Sequence, residues 1–265
     1  MAAETANART SVPLARIRSM KRIACIVMPT YNEAANLPEL FPRIFDQAEK
    51  IATHELHVLV VDDNSPDGTA PNVVQWMKDN LRIHLLSGEK RGLGEAYRRG
   101  IAHAIAKLDP EFILQMDADH QHDPSLLPLF LALTQYVFTL VLGSRSAPGA
   151  GEPALSFRRR LISRLRTILV RNAPELPRIH DCTSGYRSIR ADLIAKCDFG
   201  LPPTRGYSFQ SSLLSELLRN GARVVEVPNF FAPCAHGTSK LSFSDQIEFL
   251  TSLGWLWRSR FRRNV

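Results

Sequence analysis

The four cysteines of this 265-residue chain form no C-x-x-C pair and no other spacing typical of a metal site. Their scarcity excludes a disulfide framework and predicts reduced thiols in a cytosolic protein. The first residues contain no apolar core of a secretory signal, which argues against export. No Ser-His-Asp or Cys-His arrangement is recognisable, so the sequence offers no evident nucleophile for covalent catalysis.

Only one segment, Ser125–Ser144, is both uncharged and long enough to be mistaken for a membrane span. It contains Pro128 and Gln135, and it divides into a helical part after Asp123-Pro124 and a β-rich run at Tyr136–Leu142. We therefore expect a buried helix followed by a buried strand.

The formal net charge of +7 is concentrated at the two ends of the chain. Residues 1–22 hold five basic residues and one acid, residues 251–265 hold four arginines and no acid, and the rest is close to neutral. A nucleic-acid binder would carry its basic residues on a folded face, so nucleic acid is not expected as a partner. Basic ends suit an anionic membrane surface, and solvated tails are the alternative.

Short apolar runs alternate with segments of helical periodicity, which predicts βαβ units and a mainly parallel sheet. The expected strands are Ile23–Met28, Leu56–Val61, Ile83–Leu86, Phe112–Met116, Tyr136–Leu142 and Arg223–Val227. The expected helices are one capped by Asn32, one through Val73–Met77, Leu93–Ala106, one after Pro124, Phe157–Val170, Gly206–Asn220 stopped by Gly221, and Phe243–Phe261. The fold class is α/β, with one Rossmann-like domain at 23–245, a flexible basic lead at 1–22 and an amphipathic basic helix at 246–265.

Acidic and polar residues follow three of these strands, at Pro29–Glu33, Asp62–Ser65 and Asp117–Asp119. Ligands of such sheets sit outside the carboxyl ends of the strands. Asp117 and Asp119, with the amide of Gln121, can converge on Mg²⁺ or Mn²⁺, which bridges the phosphates of a nucleotide. A solvated acidic turn is the alternative.

Two other local patterns point away from common sites. His120 and His122 have no companion Cys/His cluster, which disfavours zinc. Gly92-Leu93-Gly94 is not followed by the third glycine of a dinucleotide fingerprint, which disfavours NAD. In the run after the second strand, a carboxylate can bind a nucleobase or ribose, while Asp67-Gly68 is typical of a turn with a helix cap.

Taken in order along the chain, these motifs closely resemble family 2 glycosyltransferases of the GT-A fold. The resemblance rests on Pro29–Glu33, Asp62–Thr69, Gly92–Gly94, Asp117–Gln121 and Gly143–Arg145. Three later motifs resemble the polyprenol (dolichol) phosphate mannose synthase branch: Asp181–Arg187, Gly206–Gln210 and Gly237–Leu241. An ordered series of this length is far more specific than any single motif.

The resemblance implies inverting transfer of mannose from GDP-mannose to a polyprenyl phosphate. It implies that the nucleoside is held by Pro29, Tyr31, Glu33, Val61 and Asp63. It implies a metal on Asp117, Asp119 and Gln121, with Ala118 against the donor. It implies phosphate contacts at Arg145 and Lys240 for the donor and at Arg159 and Ser163 for the acceptor. Solvated surface side chains are the alternative for the arginines.

An enzyme of this kind would carry few catalytic groups. The acceptor phosphate is already anionic near neutral pH, so no strong general base is required. Asp119, Arg145, Arg159 and Ser163 form the implied catalytic set. A lipid acceptor and basic chain ends together imply a peripheral position on the cytoplasmic face of a membrane, with a membrane partner subunit as a further expectation.

One position departs from the mannose synthase pattern. Cys234 stands three residues before Gly237, where the family carries an arginine expected to touch donor phosphate. A thiol cannot replace a permanent cation with five donors. Three interpretations stay open: compensation by Lys240, Arg205 or His236; another donor such as UDP-glucose; or a non-catalytic relative that binds nucleotide or lipid.

Overall fold

Seven strands form one sheet in the computed structural model, which describes residues 21–150, 179–198 and 208–230. The strands are β1 (Arg22–Thr30), β2 (His54–Asp62), β3 (Ile83–Ser87), β4 (Phe112–Gln115), β5 (Leu140–Ser144), β6 (Arg187–Arg190) and β7 (Val224–Pro228). Their order is β3-β2-β1-β4-β6-β5-β7. Strand β6 runs antiparallel to both neighbours and every other pair is parallel, which confirms the expected α/β class.

Helices cover both faces of this sheet. They are α1 (Leu37–Ala48), α2 (Thr69–Asp79), α3 (Leu93–Leu108), α4 (Leu127–Tyr136), the short α5 (Ala191–Ile194) and α6 (Ser208–Arg219), with a 3₁₀ turn at Pro124–Leu126. One apolar layer lies beneath α3 and α6, and a second lies beneath α1 and α4. Strand β1 is buried on both faces, which explains its unbroken apolar run.

The first helix begins later than the sequence predicts. Asn36 holds the N-cap position of α1, whereas Asn32 has a φ of +61° and lies in the preceding turn. The cause is the neighbouring loop, because the Asn32 N–H donates to Ser65 Oγ (3.0 Å). The prediction of a cap at Asn32 is therefore wrong.

The segment that could be mistaken for a membrane span is a helix followed by a strand, as predicted. The boundary was placed too early, because α4 continues to Tyr136 and the Val137 N–H still donates to the Leu133 carbonyl (3.2 Å). In the described part of the chain, no helix combines the length and apolar character needed to cross a membrane.

Strand β6 and helix α5 are absent from the sequence-based prediction. The four residues of β6, Arg-Ser-Ile-Arg, contain no apolar run, yet Arg187 is fully buried there. Gly221 ends α6 with a φ of +84°, as expected. Arg22, assigned to the basic lead, is the first residue of β1. The predicted helices Phe157–Val170 and Phe243–Phe261 lie outside the described residues.

Helix α3 approaches the sheet closely at Gly100. A Cβ atom there would lie 2.5 Å from Cγ1 of Val27 and 2.6 Å from Cγ2 of Val61. Both valines are stiff at χ1 and cannot turn aside, so a side chain at this position would push the helix away from β1 and β2.

We expect Gly100→Val to lower the free energy of unfolding by about 1–3 kcal/mol, the usual cost of overpacking. Denaturant titration measures it. Ala102→Val adds bulk to the exposed side of the same helix and should cost less than about 0.7 kcal/mol. Equal losses in both variants would contradict the close packing at Gly100.

Candidate functional site

The three polar strand ends lie side by side at one edge of the sheet. In the parallel register, Pro29 pairs with Val61 and Thr30 pairs with Asp62, while Val27 pairs with Gln115 of β4. The loops that follow β1, β2 and β4 consequently leave the sheet at the same edge. The predicted nucleoside residues and the predicted metal residues therefore belong to one site.

Side-chain hydrogen bonds join the first two loops into one unit. The carboxylate of Asp67 accepts from the N–H of Ala34 (2.9 Å) and from the N–H and hydroxyl of Thr69 (3.0 and 2.6 Å). The Thr69 hydroxyl also accepts from the Glu33 N–H (3.0 Å). Burial acts to raise the pKa of Asp67, but these hydrogen bonds outweigh it and lower the pKa. The turn predicted at Asp67-Gly68 thus also fixes the loop after β1.

The two acids at the end of β2 have different roles. Asp62 is fully buried and accepts hydrogen bonds from Thr30 Oγ1 (3.0 Å) and from the N–H and hydroxyl of Ser65. Asp63 pairs with Arg99 Nη2 (2.9 Å). Burial raises the pKa of Asp63 more than the Arg99 charge lowers it. Asp62 therefore stabilises the loop, and Asp63 presents its carboxylate beside a cation.

Tyr31 adds an aromatic surface to this part of the site. The ammonium of Lys90 lies 3.4 Å from the centroid of the Tyr31 ring, a cation–π contact. Lys90 also acts electrostatically on Asp63. An aromatic face and a carboxylate acceptor near each other can bind a nucleoside by stacking and by hydrogen bonding.

Glu33, Val61 and Ala118, which are also predicted to contact the nucleoside or the donor, are more buried than Tyr31. Val61 is fully buried in the core beneath α3, and Ala118 belongs to the layer on the other face. The Glu33 carboxylate is buried and accepts from Asn36 Nδ2. The structure thus brings all five predicted nucleoside residues to one edge, with Tyr31 and Asp63 best placed to touch a ligand.

Asp117 and Asp119 follow β4 as a close pair of carboxylates. The Tyr97 hydroxyl donates to Asp117 Oδ1 (2.9 Å), and the Gln121 N–H donates to Asp119 Oδ1 (3.1 Å). Burial, and then the charge of Asp117, raise the pKa of Asp119. A divalent cation would relieve that repulsion, so the residues present fit a metal chemically.

Among the described residues, side chains alone do not complete a metal site. In the described ranges, no three His, Cys, Asp or Glu side chains come together in a way that could hold a metal ion. A cation at this point would use Asp117, Asp119 and the Gln121 amide, and would take further oxygens from its ligand. Such a site suits an ion that arrives with a diphosphate.

His122 stabilises the turn that carries Asp117 and Asp119. Its Nδ1 accepts from the Asp117 N–H (2.9 Å), and its ring stacks on Tyr186 with centroids 4.8 Å apart. Burial lowers the pKa of His122 to about 4, so the ring is neutral at physiological pH. His120 lies 3.3 Å from Arg43 through its Nδ1.

Arg145, a predicted phosphate contact, is held by a carboxylate. Its Nε and Nη2 donate to the two oxygens of Asp181 (2.7 and 2.9 Å), and Nη2 also donates to Thr183 Oγ1 (2.8 Å). Burial would raise the pKa of Asp181, but Arg145 outweighs it and the pKa falls to about 2. Phosphate binding by Arg145 stays a prediction, since any phosphate would meet a guanidinium already oriented by Asp181.

Several site residues escaped the sequence analysis, and several predicted ones cannot be placed. Tyr97, Arg99, Asp181 and Gln210 contact or adjoin the site. Asp181 and Gln210 stand within motifs of the family resemblance but were not predicted as site residues. Tyr97 also carries a signal, because it shares the buried stripe of α3 with Gly100, Ile101 and Ala104. Arg159, Ser163, Lys240, Cys234, Arg205 and His236 lie outside the described residues.

Comparison with known proteins gives a consistent result. The profile of the family described as "Glycosyl transferase family 2" matches residues 25–197. Polyprenol monophosphomannose synthase of Mycolicibacterium smegmatis is 34% identical over 252 residues, covering 94% of this chain and 92% of that protein. Undecaprenyl-phosphate mannosyltransferase of Micrococcus luteus is 36% identical over 217 residues, covering 82% and 86%.

Solved structures with the same fold are more distant in sequence. Mannosyl-3-phosphoglycerate synthase from Rubrobacter xylanophilus has a TM-score of 0.63 at 18% identity, covering 92% of this chain and 74% of that one. Glucosyl-3-phosphoglycerate synthase from Mycobacterium tuberculosis, in complex with Mn²⁺, UDP-glucose and phosphoglyceric acid, has a TM-score of 0.62 at 18% identity, covering 88% and 80%. This likeness confirms the expected GT-A fold class.

The Arg145–Asp181 pair leads to a stability prediction. We expect Arg145→Met to lower the free energy of unfolding at pH 7 by about 3–5 kcal/mol, because it leaves a buried carboxylate unpaired. The folded pKa of Asp181 lies below its ordinary value of 3.8, so the pair stabilises the fold above about pH 4 and loses that contribution as the pH falls toward about 2.

Denaturant titrations between pH 2 and pH 7 measure this difference. The difference in the free energy of unfolding between the wild-type protein and Arg145→Met should become smaller as the pH falls toward 2. The double variant Arg145→Met/Asp181→Asn, which removes the buried charge, should recover part of the loss at pH 7. A pH-independent gap with no recovery would show that the ion pair does not stabilise the fold.

Proposed function

The chain belongs to glycosyl transferase family 2, and on that premise we propose that it transfers mannose from GDP-mannose to a polyprenyl phosphate, with inversion at the sugar carbon. The family makes it a glycosyltransferase. One observation carries the proposal within the structure: the close carboxylate pair Asp117 and Asp119 shares a sheet edge with the nucleoside-type residues Tyr31 and Asp63. The names of the relatives with 34–36% identity support the lipid phosphate acceptor and the mannosyl group.

The donor would lie along the edge of the sheet. Tyr31 and Asp63 would hold the nucleoside, with Arg99 keeping the Asp63 carboxylate in place. Asp117, Asp119 and Gln121 would hold Mg²⁺ or Mn²⁺. When bound, that ion neutralises charge on the departing diphosphate. Asp117 is oriented for this role by Tyr97, and the turn beneath it by His122.

The acceptor needs orientation more than activation. A phosphate monoester is already anionic near neutral pH, so no base has to remove a proton before attack. The enzyme's task is to bring two anions together in the correct geometry. By the family resemblance, Arg159 and Ser163 would receive the acceptor phosphate, and Arg145 and Lys240 would balance the charge of the donor.

The lipid acceptor places the reaction at a membrane surface. The basic residues of 1–22 and 251–265 would favour the anionic cytoplasmic face by about 1 kcal/mol for each residue near it. We propose a peripheral protein there, with a membrane partner subunit as one way to hold it. Trp255, Trp257 and Phe261 would enter the interface if the C-terminal segment forms the predicted amphipathic helix.

Asp119→Asn should lower metal-dependent transfer of mannose to polyprenyl phosphate by at least about a hundredfold, because the amide keeps the shape but loses the charge that a cation requires. Transfer is measured with radiolabelled GDP-mannose in the presence of Mg²⁺ or Mn²⁺, and with a chelator. The matched control Asp79→Asn removes an exposed acid of α2 and should leave the rate unchanged. Full activity of Asp119→Asn would remove this residue from the metal site.

Cys234 gives a second candidate function, either transfer from another donor such as UDP-glucose or binding without catalysis. Calorimetric titration of GDP and UDP, each with and without Mg²⁺, separates these cases. We expect Mg²⁺-dependent binding of GDP in preference to UDP. We expect Cys234→Arg to raise the transfer rate, because it restores a cation where the family carries one. Preference for UDP would replace the proposed donor, and nucleotide binding without transfer in either protein would favour the non-catalytic relative.

A further inference from the structure

Gln210 has no role in the fold that accounts for its position. It lies in the first turn of α6, is only 2% exposed, and neither Oε1 nor Nε2 has a hydrogen-bond partner, judged over the described part of the chain. A buried amide without hydrogen-bond partners destabilises a fold. The sequence around it, Gly206–Gln210, is one of the motifs of the family resemblance.

The amide of Gln210 lies beside the carboxylate pair. A Cβ atom placed on Gly185 would be 3.5 Å from Asp117 Oδ2 and 3.5 Å from Gln210 Nε2. The two polar groups are therefore separated by no more than twice that distance. Gly185 leaves between them a space that any larger residue would enter.

The sheet order indicates which part of the donor reaches this space. The nucleoside-type residues follow β2 and β1, Asp117 follows β4, and Gly185 precedes β6, the next strand along. A sugar nucleotide is a linear arrangement of nucleoside, diphosphate and hexose. With its nucleoside at Asp63 and its diphosphate near Asp117, the hexose extends toward Gly185 and Gln210.

We propose that the Gln210 amide hydrogen-bonds hydroxyl groups of the donor hexose and is a specificity-determining residue. This inference rests on the proposed function, because it requires a sugar nucleotide at the sheet edge. A primary amide supplies two donors and an acceptor, and each sugar hydroxyl is both a donor and an acceptor. A site built to bind a hydroxyl discriminates strongly against a sugar that does not place one there, since its buried polar group then stays unpaired.

An aromatic pair connects the neighbourhood of Gln210 with the carboxylate of Asp117. The adjacent Phe209 stacks on Tyr97, with centroids 6.0 Å apart and ring planes 8° from parallel. The same Tyr97 donates its hydroxyl to Asp117. The carboxylate nearest the diphosphate and the amide proposed for the hexose are thus positioned by one aromatic pair.

The test compares nucleotide and nucleotide-sugar binding, which does not depend on transfer. Dissociation constants of GDP, GDP-mannose, UDP and UDP-glucose are measured by calorimetry with Mg²⁺ for the wild-type protein, Gln210→Met and Gln115→Met. Gln115 is the matched control, because it too is a buried amide with both polar atoms unpaired, but it lies within β4. Methionine keeps the approximate length and removes the polar atoms.

We expect Gln210→Met to weaken binding of the sugar nucleotide about tenfold, the size of one lost hydrogen bond, and to leave binding of the matching nucleoside diphosphate within about twofold. Gln115→Met should leave the dissociation constants of both the sugar nucleotide and the nucleoside diphosphate unchanged. Equal effects on nucleotide and sugar nucleotide, or no effect on either, would overturn the role of Gln210 and leave the proposed function standing. Failure of the wild-type protein to bind any of the four ligands would overturn both.

A second measurement checks that each variant is folded and identifies which hexose hydroxyl Gln210 binds. Deoxy analogues of the hexose are compared in wild-type protein and in Gln210→Glu, which keeps an acceptor, after thermal unfolding has shown that each variant is folded. The same analogues are titrated into Gln210→Met. Removing the hydroxyl that Gln210 binds should weaken binding to the wild-type protein but not to Gln210→Met, since the partner is already absent. Additive losses for every analogue would exclude the contact.

Discussion

Repulsion between two neighbouring carboxylates governs the arrangement of this site. Asp117 and Asp119 lie on one tight turn, where burial and then the negative charge of Asp117 raise the pKa of Asp119. The Tyr97 hydroxyl donates to Asp117, and the Gln121 N–H donates to Asp119, so these two hydrogen bonds orient one oxygen of each carboxylate. A divalent cation bound by both carboxylates would relieve the repulsion between them.

Other carboxylates at the same edge are treated differently. Asp63 is paired with Arg99, and Asp181 accepts hydrogen bonds from both Nε and Nη2 of Arg145. The Arg145–Asp181 pair joins the segment after β5 to the segment before β6, and the surroundings of Asp181 favour its ionised form strongly. Burial acts to raise the pKa of both Asp181 and Asp119, but Arg145 lowers the pKa of Asp181, whereas the charge of Asp117 raises that of Asp119 further. His122 packs beneath the turn as a neutral ring, so it adds no positive charge next to Asp117 and Asp119.

The sequence was sufficient where a signal is local. The apolar run of β1 and the carboxylates after β4 could be predicted, because strand ends of a parallel sheet collect ligands at one edge. Contacts between distant segments could not be predicted. The Tyr97 hydroxyl meets Asp117 only because α3 packs across β1 and β2, and Asp181 finds Arg145 from 36 residues further along the chain. Strand β6 was missed because its burial depends on its neighbours and not on its own composition.

The reversed direction of β6 has a consequence for the path of the chain. Because β6 enters the sheet from the site edge, the chain leaves that edge after β5 and returns to it before β6, and Arg145 and Asp181 tie departure and return together. The sequence between these two residues contains Arg159 and Ser163, which we propose to receive the acceptor phosphate. One ion pair therefore ties the chain on both sides of this stretch to the edge of the sheet that carries Tyr31, Asp63 and Asp117.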